Sequence, residues 1–294
     1  LQDDISNQIR EFVKLKAQQH EISFFDMNQK KGVLRNLILR NSNLGEWMVI
    51  LQVFDFEEEK VNFLMDELKS NFSQISCLYL VVNQKGNETF SDLPLKLWHG
   101  KAFLSEKMGD LEFRIGPKTF YQTNSAQAFK LYSLAKEMAD IQPGDVVYDL
   151  YTGAGTIANF VAKNAQKVVG VEYVEQAIED AKVNSKINGI ENTVFFAGDM
   201  KKVLNAEFVA QNGKPDIVIT DPPRAGMDKE VVERILEMSP QKVVYVSCNP
   251  ATQARDLQML VSKYGLKRVV PVDMFPQTHH CESVALLELR GGKV

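Results

Sequence analysis

DVVYDLYTGAGTIANFVAKNAQKVVGVE, residues 145–172, is the stretch that decides the fold. It opens on an apolar run of strand length, Val146 to Leu150. A glycine loop follows, DLYTGAGT from Asp149 to Thr156, then a helix-length segment and a second strand-sized run from Lys167 to Glu172. Short apolar runs separated by a helix read as parallel strands covered on both faces, not as half-exposed antiparallel ones. Outward from this unit the alternation continues. Toward the C-terminus lie a helix from Val174 to Asn188, strands at Thr193 to Ala197, Asp216 to Thr220 and Lys242 to Ser247, and a closing hairpin of Lys267 to Met274 with Ser283 to Leu289. Toward the N-terminus, a Pro143-Gly144-Asp145 break separates the first strand from a helix running from Ser125 to about Ile141. The pattern predicts an α/β chain with a doubly wound, Rossmann-like sheet.

The first third has another rhythm. Asp3 or Asp4 is placed to cap a helix reaching His20, with strands at Val33 to Leu39, Trp47 to Phe54 and Leu78 to Val82 around a second helix from Glu57 to Phe72. Two more strand-like segments between Trp98 and Ile115 are joined by a Gly109-Asp110 turn. This predicts a small α+β domain over residues 1–110 and the doubly wound domain over 111–294, with no recognisable chemistry in the former.

Bulk properties narrow the classes. No apolar run is long enough to span a bilayer and no signal peptide opens the sequence, so no membrane partner and a cytoplasmic location are expected. The formal charge of −4 weighs against a chain that holds nucleic acid by general electrostatics alone. Cys77, Cys248 and Cys281 form no CxxC or Cys/His cluster, so neither a metal nor an iron–sulfur site is expected. A chain that begins at Leu1 instead of Met reads as a processed product or a fragment.

Chemistry gathers at the strand ends. In the glycine loop, Gly153 and Gly155 let backbone approach a ligand. Glu172 closes the second strand, where an acid can accept both ribose hydroxyls of a nucleoside, and Asp199 lies past the third, where an acid faces an adenine amine. A nicotinamide cofactor would ask for the same acid, and Ala158 stands where a dinucleotide fingerprint tolerates it. The fourth strand separates the two, because it ends in DPPR, Asp221 to Arg224. A rigid acidic Pro-Pro loop suits a site where a methyl donor meets its substrate and has no use in a dehydrogenase.

The fifth strand ends in VSCNP, Val246 to Pro250. A lone cysteine is usually a small buried hydrophobe. Here Ser247, Asn249 and Pro250 flank Cys248 at the carboxyl end of a parallel strand, where open α/β sheets place their ligands. A thiol has a use in methyl transfer when the acceptor is carbon 5 of a pyrimidine: its addition to carbon 6 makes carbon 5 nucleophilic, and a base must later remove the carbon 5 proton. Glu282, in DMFPQTHHCES, is a candidate base, with His279 and His280 as competitors.

Taken in order, FYQTN (120–124), DLYTGAGT, VVGVE, DPPRAG, VSCNPATQARDL and DMFPQTHHCES resemble the RNA uracil-5-methyltransferases, which make 5-methyluridine in ribosomal and transfer RNA. The resemblance runs from Phe120 to the C-terminus, and the first third is more weakly similar to that family's central domain. It implies S-adenosylmethionine as cofactor and an RNA partner, ribosomal RNA of the 23S branch first and transfer RNA second. It implies Cys248 as nucleophile and Glu282 as base; Gln122, Tyr151, Gly153, Thr156, Glu172, Asp199 and Asp221 around the methyl donor; Phe120 stacked on the target base; and Arg224 holding the pocket or the nucleic acid. The sequence departs from the family where relatives often carry Cys at the position of Thr152, which marks it as non-catalytic, and it shows neither an N-terminal RNA-binding barrel nor four iron–sulfur cysteines. Cytosine-5 methylation and a non-catalytic RNA- or donor-binding module are the alternative readings.

Overall fold

Strand-sized apolar runs become strands with little adjustment of their bounds. The computed structural model describes residues 3–291 and divides the chain into two units. One runs to Lys107 and takes in Arg114–Lys118; the other holds Met108–Phe113 and the chain from Thr119 onward.

In the first unit, helix α1 (Asp4–Gln19) begins where the Asp3 carboxylate accepts a hydrogen bond from the Ile5 amide at 3.0 Å. That cap satisfies a donor with no partner inside the helix. Strands β1 (Leu34–Asn41), β2 (Trp47–Val53), β3 (Ile75–Val82) and β4 (Lys96–Gly100) form a sheet in that order, with β2 and β3 parallel and joined through helix α2 (Glu58–Asn71). The stripe of α2, Val61, Leu64, Met65 and Leu68, is buried as its spacing predicts. Between Trp98 and Ile115 the two expected strands are present as β5 (Leu104–Met108) and β6 (Leu111–Ile115), which pair as a hairpin around Gly109, and β4 before them is a strand the sequence did not predict. β4 is an edge strand, and apart from Trp98 all its residues are exposed, so KLWHG carries no apolar alternation to read.

The second unit opens with helix α3 (Ser125–Ala139), which ends before Ile141 because Asp140 takes a left-handed conformation (φ 46°) and closes it. The sequence then builds β7 (Val146–Leu150), α4 (Thr156–Ala162), β8 (Lys167–Glu172), α5 (Glu175–Ile187), β9 (Thr193–Ala197), the short α6 (Met200–Val203) and α7 (Ala206–Asn212), β10 (Ile217–Thr220), α8 (Lys229–Met238), β11 (Lys242–Ser247), α9 (Pro250–Leu260), β12 (Tyr264–Val272) and β13 (Glu282–Leu289). These strands form one sheet in the order β12-β13-β11-β10-β7-β8-β9. β7 through β11 run parallel, whereas β13 runs against both β11 and β12. The closing hairpin is present, with its second strand inserted between the first and the rest of the sheet.

Each fully buried Val, Ile or Leu contributes about 1.5–3 kcal/mol, so the interior of these strands excludes charge. Val147, Val168, Val169, Val243 and Val244 have no exposed surface, and Val169 and Val243 share a core cluster with Val231, Val232 and Ile235 of α8. Polar groups are pushed to the carboxyl ends of the five parallel strands, which share an edge with the amino end of β13.

Candidate active site

Two groups of side chains occupy that edge. The first surrounds the glycine loop after β7. Gly155 (φ +75°) caps α4, and a Cβ there would lie 2.9 Å from the Ala181 side chain, so the turn needs glycine. Gly153 (φ +53°) donates its amide to Glu172 Oε2 at 3.2 Å, while the Val174 amide binds Glu172 Oε1 at 3.0 Å. Each carboxylate oxygen of Glu172 keeps a further lone pair. Tyr151 is half-buried in left-handed backbone (φ 63°), Thr156 is buried in the first turn of α4, and Asp199 caps α6 through the Lys201 amide at 3.1 Å.

Asp149, quoted in the loop but given no role by the sequence, anchors it. Its Oδ2 accepts Thr152 Oγ1 at 2.5 Å and the Ala158 amide at 3.0 Å, while the buried Oδ1 has no hydrogen-bond partner. Burial, with a contribution from Glu172, pushes this carboxyl up to about 7. An acid with one satisfied oxygen and one dry one is arranged to keep its proton.

Cys248, Glu282, Asp221 and Arg224 form the second group. Cys248 follows β11, Glu282 starts β13 and Asp221 follows β10, and all three are half-buried. Burial raises the Cys248 thiol, Glu282 and Asp221 raise it further, and the Arg224 guanidinium opposes them. Burial likewise raises Glu282 against Arg224. Asp221 is raised well above the usual aspartate value by burial and then by Glu282 and Asp149, a direction that favours its protonated form.

The competing histidines, His279 and His280, are exposed, with tilted rings whose centroids are 4.4 Å apart. Phe120 is 73% exposed. Gln122, half-buried, makes a side-chain hydrogen bond with Tyr132, which the sequence did not single out. Tyr132 is buried on α3, and its hydroxyl is raised by burial and then by Asp221, Tyr121 and Asp149. On an amphipathic helix a tyrosine facing inward looks the same whether it packs or supports a site, so no sequence signal marked it.

A cavity of about 570 Å³ lies beside β9, lined by Lys186, Glu191 and Phe196 among others, and none of the groups above borders it. Among the described residues, no three His, Cys, Asp or Glu side chains cluster in a way that could hold a metal ion, and no helix is long and apolar enough to cross a membrane.

The sheet order, with one antiparallel strand set beside β11 and a glycine loop at the β7 switch point, defines the class: a Rossmann-like fold of the methyltransferase type. The chain belongs to the tRNA (uracil-5-)-methyltransferase family, whose model matches residues 101–290. It is 54% identical over 293 residues to an RNA methyltransferase of Bacteroides thetaiotaomicron, covering 99% of this chain and 64% of that one. Over 287 residues it is 49% identical to one from Porphyromonas gingivalis, covering 96% and 62%. The chain thus spans just under two thirds of the length of these relatives. Among solved structures it is similar to the Pyrococcus abyssi tRNA (uracil-54, C5)-methyltransferase in complex with S-adenosyl-L-homocysteine, at 32% identity and a TM-score of 0.77, covering 94% of this chain and 65% of that one.

Proposed function

We propose that the chain carries the catalytic part of an enzyme that methylates carbon 5 of a uridine in RNA from S-adenosylmethionine, with Cys248 as a transient covalent nucleophile. The observation that carries this reading is the convergence of a thiol and two carboxyls raised by burial at the ends of three adjacent strands, β11, β13 and β10. Amine methylation has no use for such a thiol.

Glycines that admit backbone to a ligand and a doubly anchored Glu172 with lone pairs to spare fit a nucleoside donor. Tyr151, Gly153, Thr156, Glu172 and Asp199 would hold it, with Gln122 and Asp221 toward the reacting end. When bound, the donor supplies an electrophilic methyl group on a sulfonium. The Cys248 thiolate adds to carbon 6 of the ring, forming a carbon–sulfur bond and sending the displaced π electrons into an enolate. Asp221 in its protonated form donates to the ring oxygen that gathers this charge, and Arg224 offsets the Glu282 charge that opposes thiol ionisation. Once carbon 5 carries the new methyl group, Glu282 takes its proton; the electrons restore the ring double bond and the thiolate leaves. Burial raises Glu282, which makes it the stronger base. A base reaching this pocket has left its stack, and Phe120 offers a ring to stack on.

Ribosomal RNA is the target expected from the sequence. A second reading, transfer RNA, is favoured by the descriptions of both the matching family and the Pyrococcus abyssi neighbour. The test incubates the chain with methyl-labelled donor and unmodified ribosomal or transfer RNA, then maps the label. Label on carbon 5 of uridine, lost in Cys248→Ala with donor binding retained, supports the proposal. Label on cytidine, donor binding without transfer, or an active Cys248→Ala variant overturns it.

A further inference from the structure

Arg224 sits on an exposed turn, and an exposed arginine on a free loop would have no fixed position beside a thiol. Helix α9 removes that freedom. Its cap residue Asn249 donates Nδ2 to the Arg224 carbonyl at 3.1 Å, and Thr252 Oγ1 donates to the same oxygen at 3.2 Å. Arg255 reaches the carbonyls of Ala225 at 2.9 Å and Met227 at 3.1 Å through one guanidinium nitrogen. The Asp256 carboxylate, 2% exposed, accepts the Met227 amide at 2.8 Å, the Tyr245 hydroxyl at 2.7 Å and Arg255 Nε at 2.9 Å. Gly226 (φ +78°) packs so tightly that a Cβ would lie 2.6 Å from Arg255 Nη2 and 2.7 Å from Asp256 Oδ2.

This network ties three pieces of chain: β11 through Tyr245, α9 through Arg255 and Asp256, and the turn that bears Arg224. Cys248 lies between the first two. A buried carboxylate is costly unless its acceptor sites are filled, and here the donors that fill them come from the turn, the strand and the helix.

We propose that Arg255 and Asp256 are positioning residues: they fasten the Arg224–Met227 turn to α9 so that the Arg224 guanidinium is held in a fixed relation to the Cys248 thiol and the Glu282 carboxyl. The role rests on the covalent reading above, but its test needs neither RNA nor donor. Site-resolved alkylation of Cys248 by iodoacetamide is followed by mass spectrometry from about pH 6 to about pH 10, which spans the ordinary thiol range. Arg224→Ala and Arg255→Met each move the Cys248 profile to higher pH and slow alkylation at neutral pH about threefold, half a pH unit in the midpoint. The double variant shifts no further than Arg224→Ala alone, because Arg255 acts through Arg224. Gly226→Ala, which removes no charge but wedges the network apart, shifts the profile in the same direction, and Arg255→Lys recovers part of the loss.

A Cys248 profile that stays at the wild-type position in Arg255→Met and Gly226→Ala, whatever happens to their melting temperatures, overturns the proposal and leaves the network a purely structural brace. So does a double variant whose shift is the sum of the singles. Where Arg255→Met fails to fold, Thr252→Val and Arg255→Lys read the same profile with a smaller lesion. An active Cys248→Ala enzyme would defeat the covalent reading without touching these titrations, so the two failures are told apart.

Discussion

Ser247 pairs with Ser283 on the last rung of the antiparallel β11–β13 ladder, and Cys248 and Glu282 are the residues next to that rung on its two strands. Thiol and carboxyl come from segments separated by a helix and a strand, yet the residues beside them are fixed to each other by the hydrogen-bonded ladder that holds the sheet edge together. Gln253 adds a second fastening, donating from α9 to the carbonyls of Tyr245 at 2.9 Å and Ser283 at 3.1 Å.

Replacing Glu282 by Gln keeps the shape of the side chain and removes the proposed base. Thiol addition and methyl transfer remain possible, but the carbon 5 proton stays. Turnover is expected to fall by roughly 10²–10⁴-fold, and a protein–RNA adduct that survives a denaturing gel should accumulate. A Glu282→Gln enzyme that turns over normally, or one that stalls without an adduct, would remove Glu282 from this role.

Asp149 gives a pH dependence of definite sign. Its folded value of about 7 lies above the ordinary aspartate value of about 3.9. Between those two values the folded state binds more protons than the unfolded one, so the stability supplied by the protonated carboxyl is complete below about pH 4 and is lost as pH rises through about 7. Asp149→Asn cannot ionise. The difference in unfolding free energy between wild type and Asp149→Asn should therefore move in favour of the variant across that window, by a few kcal/mol at most. Parallel pH curves for the two proteins would show that Asp149 is ionised in the fold.

Glu172→Gln retains one carbonyl oxygen for the Gly153 and Val174 amides and loses the negative charge and the second acceptor. Donor affinity measured by titration calorimetry should weaken about tenfold, a loss of about 1.4 kcal/mol. Unchanged affinity would place the donor elsewhere.

Phe120 is exposed, so Phe120→Ala should leave the melting temperature within the small range typical of surface changes. If the ring stacks on the target base, RNA affinity drops by about 1–3 kcal/mol while donor affinity holds. Equal RNA binding by wild type and variant would leave the ring without a substrate role.

Much of the catalytic unit was legible because its strands are short, apolar and punctuated. Val146–Leu150, Lys167–Glu172, Thr193–Ala197 and Lys242–Ser247 have the bounds that their sequence predicts. The residues at their carboxyl ends were legible for the same reason: a polar group just past a buried run has to face the sheet edge. Tyr132 and Asp256 were not, because each lies on a helix, and side-chain periodicity reports which face is buried, not what that face touches. The placement of β13 between β12 and β11 also escaped, since pairing order is set by tertiary packing and leaves no local trace. β4 lacked an apolar face altogether.

The insertion of β13 has a consequence for the order in which the site comes into being during synthesis. The glycine loop, Asp199, Asp221 and Cys248 all leave the ribosome before Glu282 does, and β13 has no neighbours to pair with until β11 and β12 exist. A nascent chain that has passed Cys248 but not β13 would hold its thiol at an open sheet edge, without the carboxyl that β13 brings to that edge. β13 therefore completes the hydrogen bonding of that edge and brings Glu282 to it, so the proposed pairing of thiol and base arises only once β13 has joined the sheet.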